Sequence, residues 1–290
     1  MPWQKNTRAL LDSNCKRAYT YKKRDFNSGI IMPYDAILKQ LRIAIQQFHS
    51  TPKSRPFITL TFAQTLDGSL ALEKEQPISL SGPESFGLTH NLRAIHSGIL
   101  VGIKTVLIDD PRLNVRLCQG PNPRPIVLDS QMRTPPHSRL FLNGVKPIIA
   151  WTTHHQQNIS REQMHRTREL RNQAEILSYD VGNLNRQVPL NNLMISLKTR
   201  EIHSVMVEGG GEVISSFLKE ALADFIIITL DPTSVSRQNA PQYHNPHQHN
   251  LKLSNLETFA LGKNIIITGK PIWSAENHQN NNVMPHEARP

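Results

Sequence analysis

The chain has 290 residues, enough for one sizeable core or two modest domains. Its 33 lysines and arginines against 23 acidic residues give a formal net charge of +10, which suits a phosphorylated ligand, an acidic partner or nucleic acid equally well. The two cysteines, Cys15 and Cys118, stand outside any C-x-x-C pair, which argues against a disulfide framework and a cysteine-built zinc site. No signal-peptide run opens the chain, and no stretch approaches the roughly 18 apolar residues of a membrane span, so it reads as a soluble, cytoplasmic protein. A basic start with Ser13 and Ser28 has some character of a mitochondrial presequence, but Asp12 and Asp25 count against that.

Residues 1–30 lack hydrophobic periodicity and read as a basic, disordered arm. Their seven basic side chains and two acids hold five of the ten net charges, so the excess on the remainder is mild. Residues 31–54 read as a helix and linker: Pro33 suits a helix start, Ile37, Leu38, Leu41, Ile45 and Phe48 recur at helical spacing, and Ser50 to Ser54 breaks the pattern. Residues 55–270 read as the main domain. Short β-branched runs there predict strands near Phe57–Ala63, Gly98–Ile103, Pro125–Asp129, Pro147–Thr152, Glu175–Tyr179, Ser204–Glu208, Asp224–Leu230 and Asn264–Thr268. Amphipathic stretches between them predict helices over Pro83–His96, Ile159–Arg171, Leu190–Thr199 and Gly211–Ala221. This alternation is that of an α/β domain, a largely parallel sheet covered by helices. Pro241 to Asn250 reads as a loop, and residues 271–290 as a disordered tail.

Three segments carry chemistry. In Thr61 to Gly68 a strand runs into an Asp-Gly turn whose small residues let a flat ring approach, although Leu-Asp-Gly also ends many ordinary strands. The second holds Arg93, a buried strand ending at Gly102, and then Thr105, Asp109, Arg112 and Arg116 in a short loop-like piece. Arg93 and Arg116 suit a phosphate; the bland alternative is a pair of surface arginines. In the third, a strand ending at Glu208 gives way to Gly209, Gly210 and Gly211 and then a helix, which favours an anion such as a pyrophosphate, or else simply close strand-to-helix packing. The thirteen histidines, among them His154 and His155 and a group at His244, His247 and His249, lack an H-E-x-x-H pattern and read as solvated loop residues; no metal site is expected.

In this order, Pro56 to Leu60 with Thr65-Leu66-Asp67-Gly68, the run from Leu92 to Arg116, Arg124 to Ser130, and Val207-Glu208-Gly209-Gly210 resemble the reductase of riboflavin biosynthesis. That family occurs as the carboxyl-terminal half of the bacterial bifunctional deaminase-reductase and as a free-standing enzyme. The resemblance implies a dihydrofolate-reductase-like fold, a mostly parallel mixed sheet with helices on both faces, commonly a homodimer. It implies an NADPH-dependent oxidoreductase that transfers hydride to ribose C1′ of a ribosylaminopyrimidine phosphate. Carried over, Ala63, Ser79, Thr105, Asp109 and Ser130 would contact NADPH. Gly209, Gly210, Gly211, Glu212 and Val213, in the turn reaching Ser216, would cradle its phosphates. Arg93, Leu113, Arg116 and Glu208 would line the substrate, the arginines holding its 5′-phosphate, and Ser130 with Arg133 would read the adenosine 2′-phosphate. Asp109 and Glu208 are the candidate proton donors.

No deaminase pattern is present, so the resemblance is to the stand-alone type, which reduces before deamination. The expected substrate is 2,5-diamino-6-ribosylamino-4(3H)-pyrimidinone 5′-phosphate; the deaminated uracil analogue and a catalytically inactive NADP-binding homologue are the alternatives. Nucleic-acid binding through the arm is disfavoured, because few aromatics accompany its charges. Three departures stand out: Thr65 where the family has serine, Ser97 in place of an acid, and a polar run after Pro232 that puts the last part of the sheet in doubt.

Overall fold

The computed structural model describes residues 34–70, 80–153, 160–181, 187–234 and 251–273. The expected arm, Pro33, the loop from Pro241 and the tail from Ser274 lie outside them, as do Ser79, His154, His155, His244, His247 and His249. Helix α1 (Asp35–His49) buries a stripe of Ile37, Leu38 and Leu41 as its spacing predicts, with Ala44 beside them and Ile45 and Phe48 partly buried, and Ser50 closes it by donating its hydroxyl to Gln47 O at 2.7 Å. Burying a leucine or isoleucine fully is worth about 1.5–3 kcal/mol, so this stripe fastens α1 to the domain.

Strands β1 (Phe57–Thr65), β2 (Gly98–Gly102), β3 (Arg124–Leu128), β4 (Ile148–Thr153), β5 (Glu175–Asp180), β6 (Ser204–Glu208) and β7 (Phe225–Asp231) alternate with helices α2 (Pro83–Ile95), α3 (Ile103–Asp109), α4 (Arg161–Leu170), α5 (Leu190–Lys198) and α6 (Gly211–Lys219). A hairpin of β8 (Lys252–Leu261) and β9 (Asn264–Ile272) follows. The sheet runs β5-β4-β3-β2-β6-β1-β7-β9-β8, parallel as far as β7 and antiparallel beyond it. The mostly parallel mixed sheet with helices on both faces is therefore the architecture found.

Alternate strand residues feed separate hydrophobic clusters, two of them around the site. Ile58, Leu60, Leu100, Val205 and Val207 pack with α5 and α6 through Leu193, Leu197, Ile214 and Phe217. Phe57, Met206 and Ile227 on the opposite face pack with α1 and α2 through Ile37, Leu41, Leu88 and Leu92. The departures from the family pattern are absorbed locally. The Ser97 hydroxyl donates to Ser204 O at 3.0 Å and accepts from the His203 and Ser204 amides at 2.9 and 3.0 Å, tying β2 to β6. The Thr65 hydroxyl donates to Asp67 and accepts the Ser69 amide at 3.1 Å, closing the turn that Gly68 completes at φ +80°.

Two expectations are corrected. The piece after Gly102 contains helix α3 rather than being loop-like from the start: four of its seven residues (Ile103, Thr105, Val106, Ile108) are β-branched and disguise a helix, while Ile103 and Val106 are buried beneath it. The sheet, in doubt after Pro232, is completed by the β8–β9 hairpin. Strand β8 was not expected, because as an exposed edge strand its period-2 pattern is broken by a bulge between Ser254 and Glu257, with Asn255 at φ +50°. Among the described residues no helix is long and apolar enough to cross a membrane.

Candidate active site

From β1 the chain passes to β2, leaving a slot beside β1, and then runs outward through β3, β4 and β5. Strand β6 returns to fill that slot and β7 takes the other flank of β1. Connections diverge on either side of β6, so the carboxyl ends of β1, β2 and β6 meet at a topological switch point, where open α/β sheets form ligand crevices.

Buried β6 ends at half-buried Glu208, and the glycine turn leads at once into α6. A methyl group on Gly209 would stand 2.6 Å from Val213 Cβ, and one on Gly102 2.8 Å from Val213 Cγ2. Both positions therefore let the first turn of α6 press against the strand ends. Gly210 differs: nothing lies within 4 Å of the point where its Cβ would be, so its backbone faces open space. The Val213 amide donates to Gly210 O at 3.0 Å, and the first turn of α6 stands at the helix's positive end, chemistry that favours an anion. Lys104 of α3 pairs with Glu212, drawing the two first turns together, although both side chains are exposed and the pair is screened.

Arg93, on α2, forks onto Glu208: Nε donates to Oε1 at 2.8 Å and Nη2 to Oε2 at 2.7 Å, while Nη1 donates to Asn114 O at 3.2 Å. Burial disfavours the guanidinium charge, but the attraction and hydrogen bonds of Glu208 outweigh it and hold the pKa above its ordinary value. The expected fork of Arg93 onto a phosphate thus meets a fork already facing a carboxylate. Arg116 is exposed, its Nη1 donating only a long 3.3 Å bond to Asn114 Oδ1.

Between them runs a loop several of whose backbone groups are held by side chains. Asp110 and Leu113 take left-handed conformations at φ 41° and 54°. The Arg139 amide donates to Asp110 Oδ1 at 2.7 Å, and Asn143 Nδ2 donates to Leu113 O at 2.8 Å. Asn122 Oδ1 accepts the Val115 amide at 2.8 Å, and His90 Nδ1 accepts the Arg116 amide at 3.1 Å. Leu113 itself is buried.

His90 and His96 depart from the expectation of solvated histidines, being 1% and 2% exposed. Burial pushes the His96 pKa down to about 4, so its ring is neutral. Its two bonds then have one consistent arrangement, Nδ1–H donating to Leu92 O and Nε2 accepting from the Thr59 hydroxyl, both at 2.7 Å. Spacing offered a signal: His96 continues the buried row of Leu88 and Leu92 at steps of four. Asn122 and Asn143 carried none, since their side chains bond backbone atoms of the loop.

Of the other expected residues, Ala63 lies half-buried near the end of β1, and Thr105 sits on α3. Asp109 closes α3; it reaches solvent, yet partial burial raises its pKa above the usual carboxylate value. Ser130 follows β3, its carbonyl accepting from Thr152 Oγ1 at 2.9 Å. Beside it Asp129 accepts from Thr134 through Oδ2, while Asp129 Oδ1 and Arg133 Nε are buried without a hydrogen-bond partner.

The model of the RibD C-terminal domain matches residues 56–267. The chain is 35% identical over 189 residues to the 2,5-diamino-6-ribosylamino-4(3H)-pyrimidinone 5′-phosphate reductase of Methanothermobacter thermautotrophicus, covering 64% of this chain and 82% of that protein. It is 32% identical over 226 residues to the riboflavin biosynthesis protein RibD of Aquifex aeolicus, covering 77% of this chain but 60% of that one. In structure it is similar to the riboflavin biosynthesis reductase Rib7 of Saccharomyces cerevisiae, with a TM-score of 0.61 at 28% identity over 80% of this chain and 99% of that one.

Proposed function

The chain belongs to the RibD C-terminal domain family, and on that premise we propose that it is a reductase of riboflavin biosynthesis that converts 2,5-diamino-6-ribosylamino-4(3H)-pyrimidinone 5′-phosphate to its ribitylamino product with NADPH. The observation that carries this reading is the meeting, at one switch point, of an anion-seating glycine turn, a locked carboxylate and a loop presenting a solvent-facing arginine. Relatives named for this reaction are matched over most of their own length, whereas the chain spans 60% of RibD.

The residues present fit the dinucleotide. The open backbone at Gly210 with the first turn of α6 suits its pyrophosphate, and the unpartnered Arg133 Nε beside Ser130 suits a 2′-phosphate. NADPH, when bound, supplies the hydride that reduces ribose C1′. Arg116 takes the 5′-phosphate. Glu208, both oxygens accepting from Arg93, also accepts from sugar hydroxyls. Asp109 keeps its proton to higher pH than an ordinary carboxyl and is the better source of the one proton the product gains besides the hydride. A homodimer working in the cytoplasm completes the proposal.

Supplying purified protein with the diaminopyrimidinone substrate and with its deaminated uracil analogue, while following NADPH absorbance, tests the reading. Preferential oxidation with the first is expected. Preference for the second would move the enzyme to the RibD order of reactions, a reading the match to RibD supports, and inertness toward both would overturn the activity.

A further inference from the structure

We infer that His90 is a positioning residue that sets Arg116 from inside the fold, by holding the backbone of the loop on which that arginine stands. The inference rests on the reading of Arg116 as the phosphate ligand.

Left-handed backbone at a non-glycine residue is disfavoured and persists where the surroundings over-determine it. Leu113 is such a residue, and three side chains hold positions 113–115: Asn143 on the Leu113 carbonyl at 2.8 Å, Arg93 on the Asn114 carbonyl at 3.2 Å and Asn122 on the Val115 amide at 2.8 Å. His90 supplies the next bond in the series, accepting the Arg116 amide at 3.1 Å. The guanidinium of Arg116 is exposed and weakly tethered, so its direction depends on the backbone that carries it.

His90 and Arg93 stand one helical turn apart on α2, both buried, and both reach the same loop. A helix is a rigid element, and side chains locked on it place a loop more accurately than loop contacts do. Accepting through Nδ1 requires the ring proton on Nε2, so His90 acts here as a neutral acceptor. It touches no reacting atom, and its effect is exerted through Arg116.

The test compares His90→Leu, which keeps bulk without an acceptor, with His90→Asn, whose Oδ1 restores an acceptor close to the Nδ1 position, in the full chain. His90→Leu should raise KM for the phosphorylated substrate roughly tenfold, the cost of orphaning one partly buried amide, with kcat within about twofold. The dissociation constant of inorganic phosphate, measured calorimetrically, should rise by a similar factor, and hydrogen exchange at the Arg116 amide should accelerate. His90→Asn should recover most of each change. Unchanged phosphate affinity in folded His90→Leu, no recovery in His90→Asn, or a fall in kcat with KM unmoved would overturn the inference. If His90→Leu does not fold, His90→Ala with added imidazole replaces it: regained phosphate affinity supports the role and its absence refutes it. Wild-type protein inert toward the pyrimidine would defeat the activity, while phosphate binding and amide exchange still decide the role of His90.

Discussion

The Arg93–Glu208 pair offers the sharpest test of how the site is held, because its partners come from different elements and use both carboxylate oxygens, at 2.8 and 2.7 Å. Breaking a buried pair from one side costs about 3–5 kcal/mol, most of it the penalty of the charge left behind. Here the side chains keep 11% and 20% of their exposure, so Arg93→Met should lie at the low end, about 3 kcal/mol. Glu208→Gln keeps one acceptor for the guanidinium and should cost about 2 kcal/mol. The double variant orphans neither charge, so it should cost about 3 kcal/mol rather than the sum, a coupling of about 2 kcal/mol. Urea unfolding of the four proteins, followed by the fluorescence of buried Trp151, measures this directly. Single losses that add to within about 0.5 kcal/mol would mean the fork does not hold Glu208, and the account of a locked carboxylate would fail with it.

Three further outcomes follow from particular side chains. Buried His96, with a folded pKa of about 4 against 6.5 unfolded, binds its proton more readily in the unfolded chain. Its contribution is complete above pH 6.5 and is lost as pH falls toward 4, on the order of 3 kcal/mol in all; denaturant midpoints between pH 7 and 4.5 should fall more steeply for wild type than for His96→Asn, and parallel curves would refute this. Gly210→Ala, with open space around the added methyl, should leave the unfolding midpoint unchanged yet weaken NADPH binding measured by fluorescence titration; Gly209→Ala should destabilise by about 1–3 kcal/mol through its clash with Val213. If Gly210→Ala binds NADPH as wild type does, the turn is packing and not a cradle. Arg116→Ala should raise KM for the phosphorylated substrate by about 10- to 100-fold, the worth of a charged hydrogen bond, with the far-ultraviolet circular dichroism unaltered; an unchanged KM would remove Arg116 from the phosphate.

What could be read from the amino acids alone follows the range of the forces concerned. Strands such as Gly98–Gly102, buried at every position, announce themselves as unbroken apolar runs, and helices such as α1 because one-sided burial imposes a period on neighbouring residues. Helix α3 and strand β8 did not, one because β-branched residues suit a helix poorly in isolation, the other because a bulge breaks the alternation on an exposed edge. Each is held by packing or pairing with its neighbour in the fold, α3 on β2 and Leu113 and β8 on β9, rather than by a pattern of its own.

The site divides along the same line. Gly209 to Gly211 and Glu208 are recognisable because a strand, a turn and a helix start adjoin in sequence. The partner of Glu208 stands 115 residues earlier, and only the return of β6 into the slot beside β1 brings the two together. Topology thereby converts Arg93 from a candidate phosphate ligand into the group that fixes the carboxylate. The loop bearing Arg116 is ordered in turn by His90, Asn122 and Asn143, whose polar groups act on backbone atoms. Such bonds depend on where an amide or carbonyl lies and hardly on the side chain it carries, so they leave no motif in the loop that depends on them.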